Sequence, residues 1–382
     1  MTEQLRASGT HCTGQLTIDL DAICSNWKSL NSQVGSETTC AAVVKADAYG
    51  TGLSKVSKAL YETGVRTFFT ALPEEGDLVR EAAPEAVIYV LGGLFHGRAP
   101  LYARSDLRPV LNSLEECLEW AQFCESLGKS LPVALHLDTG MNRLGFHGDD
   151  LKALLSDKVL FKALNISLVL SHLACADEPD HPLNAQQLAT FKCLSSAFPD
   201  TPKSLANSSG VFLGEDYHFD LVRPGVALYG GNPTPYAKNP MKHSAYVTAE
   251  VLQVRTVPKG ATVGYGARQM ATRDTRIAVI NIGYADGMHR LTGSSDERSG
   301  SYAYINQRRI PYFGRVSMDL IALDVTDVPS GLIERGSTIE VLGQNVSVDE
   351  VAFHANTVAY ELLTSLGKRY KRFYLSSTQY AT

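Results

Sequence analysis

Lys45 ends the apolar run Ala41-Ala42-Val43-Val44 and opens the polar stretch Ala46-Asp47-Ala48-Tyr49-Gly50. Four apolar residues in succession read as a strand covered on both faces, and Gly50-Thr51-Gly52 then opens a helix. An ammonium at such an exit is partly desolvated, which lowers its pKa and makes a neutral, nucleophilic amine accessible. The ordinary alternative is a lysine snorkelling from an edge strand. Other apolar runs also end in polar groups. His172 follows Leu170-Ser171, and Arg143 lies in the glycine-bracketed turn Asp138-Thr139-Gly140-Met141-Asn142-Arg143-Leu144-Gly145. Asn207-Ser208-Ser209-Gly210 and Arg223-Pro224-Gly225-Val226 could each present backbone N–H groups to an anion. Each has a plainer reading, as a satisfied histidine, a solvated arginine or a helix cap. With Lys45 they supply a Schiff-base-forming amine, two phosphate-binding turns and two arginines, the set that pyridoxal phosphate asks of a protein. No G-x-x-x-x-G-K-[ST] run and no dinucleotide fingerprint after a strand competes with it.

The elements that must position these groups follow a simple grammar. Met1 to Gly14 is polar and reads as a flexible tail, Leu16 to Leu20 alternates as a strand, and Asp21 is a candidate N-cap. Short apolar runs then recur at Ala41 to Lys45, Thr67 to Ala71, Val87 to Leu91, Leu107 to Leu111, Val133 to Leu137, Ile166 to Ser171, Ser204 to Ala206 and Val226 to Tyr229. Helical patterns such as Leu53 to Glu62, Ser113 to Leu127 and Asn184 to Ala197 separate them. Eight strands alternating with helices predict an α/β fold, a (β/α)8 TIM-like barrel over 15–240, with a doubly wound open sheet as the alternative. Beyond Gly231-Asn232-Pro233-Thr234-Pro235 the pattern changes to strands at Tyr246 to Val257, Thr262 to Tyr265, Arg276 to Ile282, Ala303 to Ile305, Ile321 to Val325 and Ser337 to Leu342. This predicts a mainly β C-terminal domain over 241–382, turning helical from Val348 to Lys368 before a frayed end. The chain of 382 residues has formal net charge −5 and a pI of about 6.1, a balance that argues against a nucleic-acid or anionic-membrane partner. No apolar run reaches membrane-spanning length, and the first dozen residues carry no signal-peptide core, so the expected compartment is the cytoplasm. The seven scattered cysteines show no Cys-x-x-Cys pair, so neither a disulfide framework nor a metal site is expected.

Val43-Val44-Lys45-Ala46-Asp47-Ala48-Tyr49-Gly50 closely resembles the cofactor-lysine signature of bacterial alanine racemases, the fold-type III pyridoxal-phosphate enzymes. Asp138-Thr139-Gly140-Met141, Ser171-His172, Ala206-Asn207-Ser208, Val222-Arg223-Pro224-Gly225, Gly264-Tyr265-Gly266-Ala267, Ile282-Gly283-Tyr284-Ala285-Asp286-Gly287, Arg315-Val316-Ser317-Met318-Asp319 and Tyr360-Glu361 match in the family's order. The resemblance covers nearly all of the chain beyond the tail. It implies that Lys45 carries the cofactor and exchanges the α-proton of alanine on one face, while Tyr265, from the partner subunit of a homodimer, serves the other. A phenol is a weak base at neutral pH, and His172 and Arg223 look like its support. Arg223 resembles the arginine that donates to the pyridine nitrogen and leaves it unprotonated, which weakens the ring as an electron sink. Tyr49, Ser208, Gly225, Val226 and Tyr360 match phosphate ligands, with Asn207 beside them; Arg143 and the main chain at Met318 would meet the substrate carboxylate. Tyr284, with Tyr265 and Tyr360, resembles a narrow entrance, and Asp177, Arg290 and Arg315 its outer layer. A tight entrance favours alanine, then serine.

One position departs from the pattern. Many members carry a carbamylated lysine two residues before Asp-Thr-Gly-Met, and this chain has His136 there, which cannot supply the anion. Arg143 is then expected to be held by a small anion such as chloride, by Asp138 or by water. A non-catalytic pyridoxal-phosphate carrier would lack the second domain, which here carries Tyr265, Met318 and Tyr360. A decarboxylase of the same architecture would use a cysteine from that domain, and none follows Cys193. A racemase of serine, lysine or another amino acid is the remaining alternative.

Overall fold

The computed structural model describes residues 14–377, so the tail expected over Met1 to Gly14 lies outside the described residues except for Gly14 itself. The described residues form two compact units, Asp21–Lys242 and a second made of 14–20 together with 243–377.

The first unit is a closed parallel barrel. Residues Ala42–Val43, Thr67–Thr70, Val87–Val90, Leu107–Leu111, Pro132–His136, Asn165–Leu170 and Lys203–Ser204 pair in chain order. Leu221–Val222 pairs with Thr39–Cys40, the stretch just before Ala42. Asp220 N–H to Lys203 O at 3.1 Å and Arg223 N–H to Ala206 O at 2.9 Å join the last two strands, so the ring has no free edge. Phe68, Ile88, Val110, Val133, Leu135 and Val169 are buried along these strands, and helices such as Leu53–Thr63, Leu114–Leu127 and Pro182–Ser195 cover the outside. Their ends follow capping chemistry: the Ser113 hydroxyl accepts from Glu116 N–H, and Gly128 closes that helix at φ 61°.

Two expectations shift. Val226–Tyr229 is a 3-10 turn rather than the eighth strand, which is Leu221–Val222. Pro224 has no N–H to extend a ladder, and the apolar character of Val226 to Tyr229 reflects burial on all sides. Helix Leu20–Asn31 begins before Asp21, so that carboxylate lies in the first turn, where it complements the helix dipole instead of capping.

The second unit is a mixed sheet built on the long strand Ala245–Val257. Its first half pairs with Gln15–Asp19 and Thr338–Leu342, its second half with Thr275–Ile280, which in turn pairs with Ile321–Asp324. The hairpin Tyr302–Ile305 and Arg308–Pro311 extends the sheet beyond Thr338–Leu342. Gln15–Asp19, which the expected barrel segment 15–240 included, therefore belongs to the β unit. Three further differences appear. Thr262 makes only an isolated bridge to Met270, and Tyr265 begins a short 3-10 turn. The C-terminal helical region is two short helices, Val348–His354 and Ala359–Thr364. After them Lys371–Leu375 is a strand, parallel to Gln15–Asp19, where fraying was expected.

Candidate active site

The barrel positions ten of the sequence-derived candidates, and most lie just past the C-terminal ends of its strands, the face on which such barrels place reactive groups. Lys45 follows strand Ala42–Val43 and leads into a left-handed turn: Ala46, Asp47, Ala48 and Tyr49 have φ between 51° and 55°. Four consecutive non-glycine residues in this region cost on the order of 4–8 kcal/mol, so the surroundings must hold them. Asp47 Oδ1 accepts from Leu53 N–H at 2.8 Å and thereby fastens the turn to the next helix. Tyr49 is buried and stacks on Tyr229 with ring centroids 4.7 Å apart. Burial lowers the Lys45 pKa, and the Arg143 charge lowers it further, against an opposing pull from Glu75.

Across the barrel mouth, the Ser208 hydroxyl accepts N–H groups of Gly225 at 2.8 Å and Ala227 at 3.3 Å. Its own proton is free to be donated. A Cβ on Gly225 would lie 2.3 Å from the Tyr49 hydroxyl oxygen, so glycine is what lets that ring close over the turn. Val226 starts the 3-10 turn beyond it. Asn207 is committed locally: its Oδ1 accepts from Gly210 N–H, and its Nδ2 donates to Leu173 O. It is a buttress for the Ser208 turn.

Arg223 is buried and donates to the Ser204 hydroxyl and to Ser171 O. Both acceptors are neutral. Desolvation lowers its pKa to about 9, which leaves the guanidinium charged at neutral pH with further N–H groups to give. His172 has its pKa driven well down by burial and by Arg223, Arg143, Lys45 and His136, so its ring is neutral. Gln187, fully buried, donates to Thr139 Oγ1 and His172 O and so ties the Arg143 loop to the His172 exit. Asp177 is exposed further along the same loop.

Arg143 is exposed, and no side-chain partner holds it among the described residues. Asp138, one of its expected partners, is used differently: Oδ1 accepts from Gly140, Met141 and Asn142 N–H and shapes the loop. His136 Nδ1 lies 2.9 Å from Asn112 Oδ1. Since Asn112 Nδ2 donates to Val110 O, its oxygen accepts from the imidazole, which puts the proton on Nδ1 and a lone pair on Nε2. Burial, with Arg223 and Arg143, lowers the His136 pKa to about 4. The unfolded ring takes up its proton near pH 6.5 and the folded one only near pH 4, so the unfolded chain binds more protons between these values. Stability therefore falls as pH drops through this window, by about 3 kcal/mol for this one group. His136→Gln should show a shallower loss of urea stability across it, and an unchanged slope would remove His136 as the cause.

The other candidates lie in the β unit. Tyr265 sits in the turn that follows Gly264, with Gly266 close against the Arg315 guanidinium. Tyr284 N–H donates to Ser317 O and Ala285 N–H to Met318 O, which seats the Tyr284 turn on the Met318 turn. Asp286, wholly buried, accepts from Gly283 N–H and pairs with Arg369, which reaches on to Asp319. Tyr284 and Arg290 line an open recess of about 630 Å³ with His289, Leu291 and Ser365. Tyr360 is the second residue of helix Ala359–Thr364. Tyr265 is 69 % exposed, Met318 52 %, Tyr360 43 % and Tyr284 42 %. Glu75 and Gln187 went unread in the sequence. Glu75 had a signal, since Pro73-Glu74-Glu75 marks a helix start, but nothing in it indicated the lysine turn 29 positions away.

Residues 18–233 match the family model of the alanine racemase N-terminal domain and 245–374 that of its C-terminal domain. Two alanine racemases of Agrobacterium fabrum are similar along most of their length. The biosynthetic form is 46 % identical over 94 % of this chain and 93 % of its own length, and the catabolic form 45 % identical over 98 % and 95 %. The solved structure of the Bartonella henselae alanine racemase with covalently bound pyridoxal phosphate is 40 % identical and superimposes with a TM-score of 0.89, covering 95 % of this chain and 99 % of that one. With a barrel and a β unit matched in order by both family models, this chain belongs to the alanine racemase family.

Proposed function

We propose that the protein is a pyridoxal-phosphate-dependent racemase that interconverts L-alanine and D-alanine with two bases. The observation that carries the reading is the barrel mouth itself: a desolvated lysine at one strand exit, a serine and glycine cradle at another, and a buried arginine with no acidic partner among the described residues. These residues fit the cofactor. The Ser208 proton and the backbone beside Gly225 and Val226 suit a phosphate, with Tyr49 and Tyr360 closing on it. Arg223, which can only donate, suits an unprotonated ring nitrogen. When bound, the cofactor delocalises the electron pair left at the substrate α-carbon.

The chain's own groups do the rest. Arg143 and the main chain at Met318 hold the substrate carboxylate. Lys45 Nζ moves the α-proton on one face and Tyr265 Oη on the other. Neutral His172 and charged Arg223 form a hydrogen-bonding environment suited to a phenol that acts as a base. Tyr265 is supplied by a second copy of the chain, so the active unit is a homodimer. The exposure of Tyr265, Tyr284, Met318 and Tyr360 on one unit supports this, because large apolar groups left in water mark an association surface. Tyr284, Asp177, Arg290 and Arg315 would then line the entrance. A reducing, cytoplasmic setting suits the free thiols of Cys24, Cys40, Cys117 and Cys124. No helix among the described residues is long and apolar enough to cross a membrane. D-Alanine made there would serve peptidoglycan synthesis, or the reverse reaction alanine catabolism.

The test is a chiral product assay of the cofactor-loaded protein against L- and D-amino acids. Alanine should turn over fastest and serine next. Racemisation of alanine no faster than that of serine or lysine would overturn the substrate assignment.

A further inference from the structure

Glu75 is the third residue of helix Pro73–Ala82, and its carboxylate serves two strand exits at once. Oε1 accepts from Ala46 N–H at 2.6 Å, the first amide of the left-handed turn after Lys45. Oε2 accepts from Ala71 N–H at 2.8 Å and Leu72 N–H at 3.3 Å, just past strand Thr67–Thr70. The turn leaves its strand with Val44 N–H on Phe69 O at 2.9 Å. Main-chain pairing thus holds the chain up to Val44, and the carboxylate takes over at Ala46, just past Lys45. Helix Pro73–Ala82 packs closely on the barrel wall, since a Cβ on Gly76 would lie 2.7 Å from the Leu107 side chain.

We propose that Glu75 is a positioning residue for Lys45: its carboxylate ties the left-handed turn to the neighbouring strand exit and supplies the negative charge beside the amine. Reach and charge are separate parts of this role. The reach comes from the two oxygens, each on a different segment, a span that a side chain one methylene shorter cannot make from the same helix. The charge acts on the Lys45 amine against Arg143, which opposes it, with neutral His172 as the third titratable neighbour. A nearby anion favours the protonated amine, so removing it must lower the pH at which Lys45 becomes a free base.

The inference rests on the reading of Lys45 as the cofactor-bearing amine, and its test is made without turnover so that the two fail separately. The full-length chain, freed of its cofactor, is labelled with limiting acetic anhydride across a pH series, and the Lys45 peptide is quantified by mass spectrometry. Glu75→Gln should move the labelling midpoint to lower pH. Glu75→Asp keeps the charge and loses the reach. It should leave the midpoint in place and, after reloading with pyridoxal phosphate, release it about tenfold faster. A wild-type midpoint in folded Glu75→Gln, or wild-type retention in Glu75→Asp, would overturn the proposal. If Glu75→Gln does not fold, the retention measured for Glu75→Asp decides alone.

Discussion

Lys45→Ala is expected to lower alanine racemisation by about 10⁴-fold or more. In the proposed reaction its amine has two tasks, to hold the cofactor covalently and to move a proton at the α-carbon, and both would be lost together. The environment explains why this lysine and no other is fit for them. It is desolvated at a barrel mouth, with Arg143 also driving its pKa down. Lys55 and Lys58, only ten and thirteen residues on, are carried by helix Leu53–Thr63, which covers the outside of the barrel. Borohydride reduction of the loaded protein followed by peptide mapping should place the label on Lys45. A label on another lysine would remove both tasks from this residue.

Tyr265→Phe should separate the two faces of the reaction. Overall racemisation must fall equally in both directions, by about 10²–10⁴-fold, because the L and D forms are equal in free energy and a catalyst cannot shift their ratio. Exchange of the α-hydrogen with solvent is not bound by that symmetry. Lys45 still serves its own face, so D-alanine should keep exchanging deuterium with retained configuration, whereas exchange from L-alanine should collapse. Equal loss of exchange from both enantiomers would contradict the division of labour. Phenylalanine keeps the ring, and Tyr265 is largely exposed in the single chain, so the fold should tolerate the change.

Much of this was legible in the sequence because local chemistry and local structure coincide there. The run Ala41 to Val44 is apolar because both faces of the strand are buried, and the polarity that follows marks its exit. Asp138 is readable as a turn former for the same reason: the amides it accepts from lie two, three and four residues on. What stayed hidden depended on distant partners. Gln15–Asp19 alternates as a strand, but nothing local says that it pairs with Ala245–Val257 and not with the barrel. Lys371–Leu375 is half-buried at every position and so shows no alternation at all. Val226 to Tyr229 misled because a buried 3-10 turn and a buried strand need the same apolar composition. Glu75 marks a helix start, while its oxygens act on residues 3, 4 and 29 positions away.

The parallel pairing of Gln15–Asp19 with Lys371–Leu375 sets an order of events during synthesis. Gln15–Asp19 is made long before Lys371–Leu375 and cannot acquire that neighbour until the later strand has left the ribosome. Asp21–Lys242, by contrast, is one uninterrupted stretch whose strands pair mostly with the next in line, so it can close while the rest is still being made. The barrel, with Lys45 already seated at its mouth, can thus be a finished body waiting on a β unit of which one strand, Gln15–Asp19, was made before it.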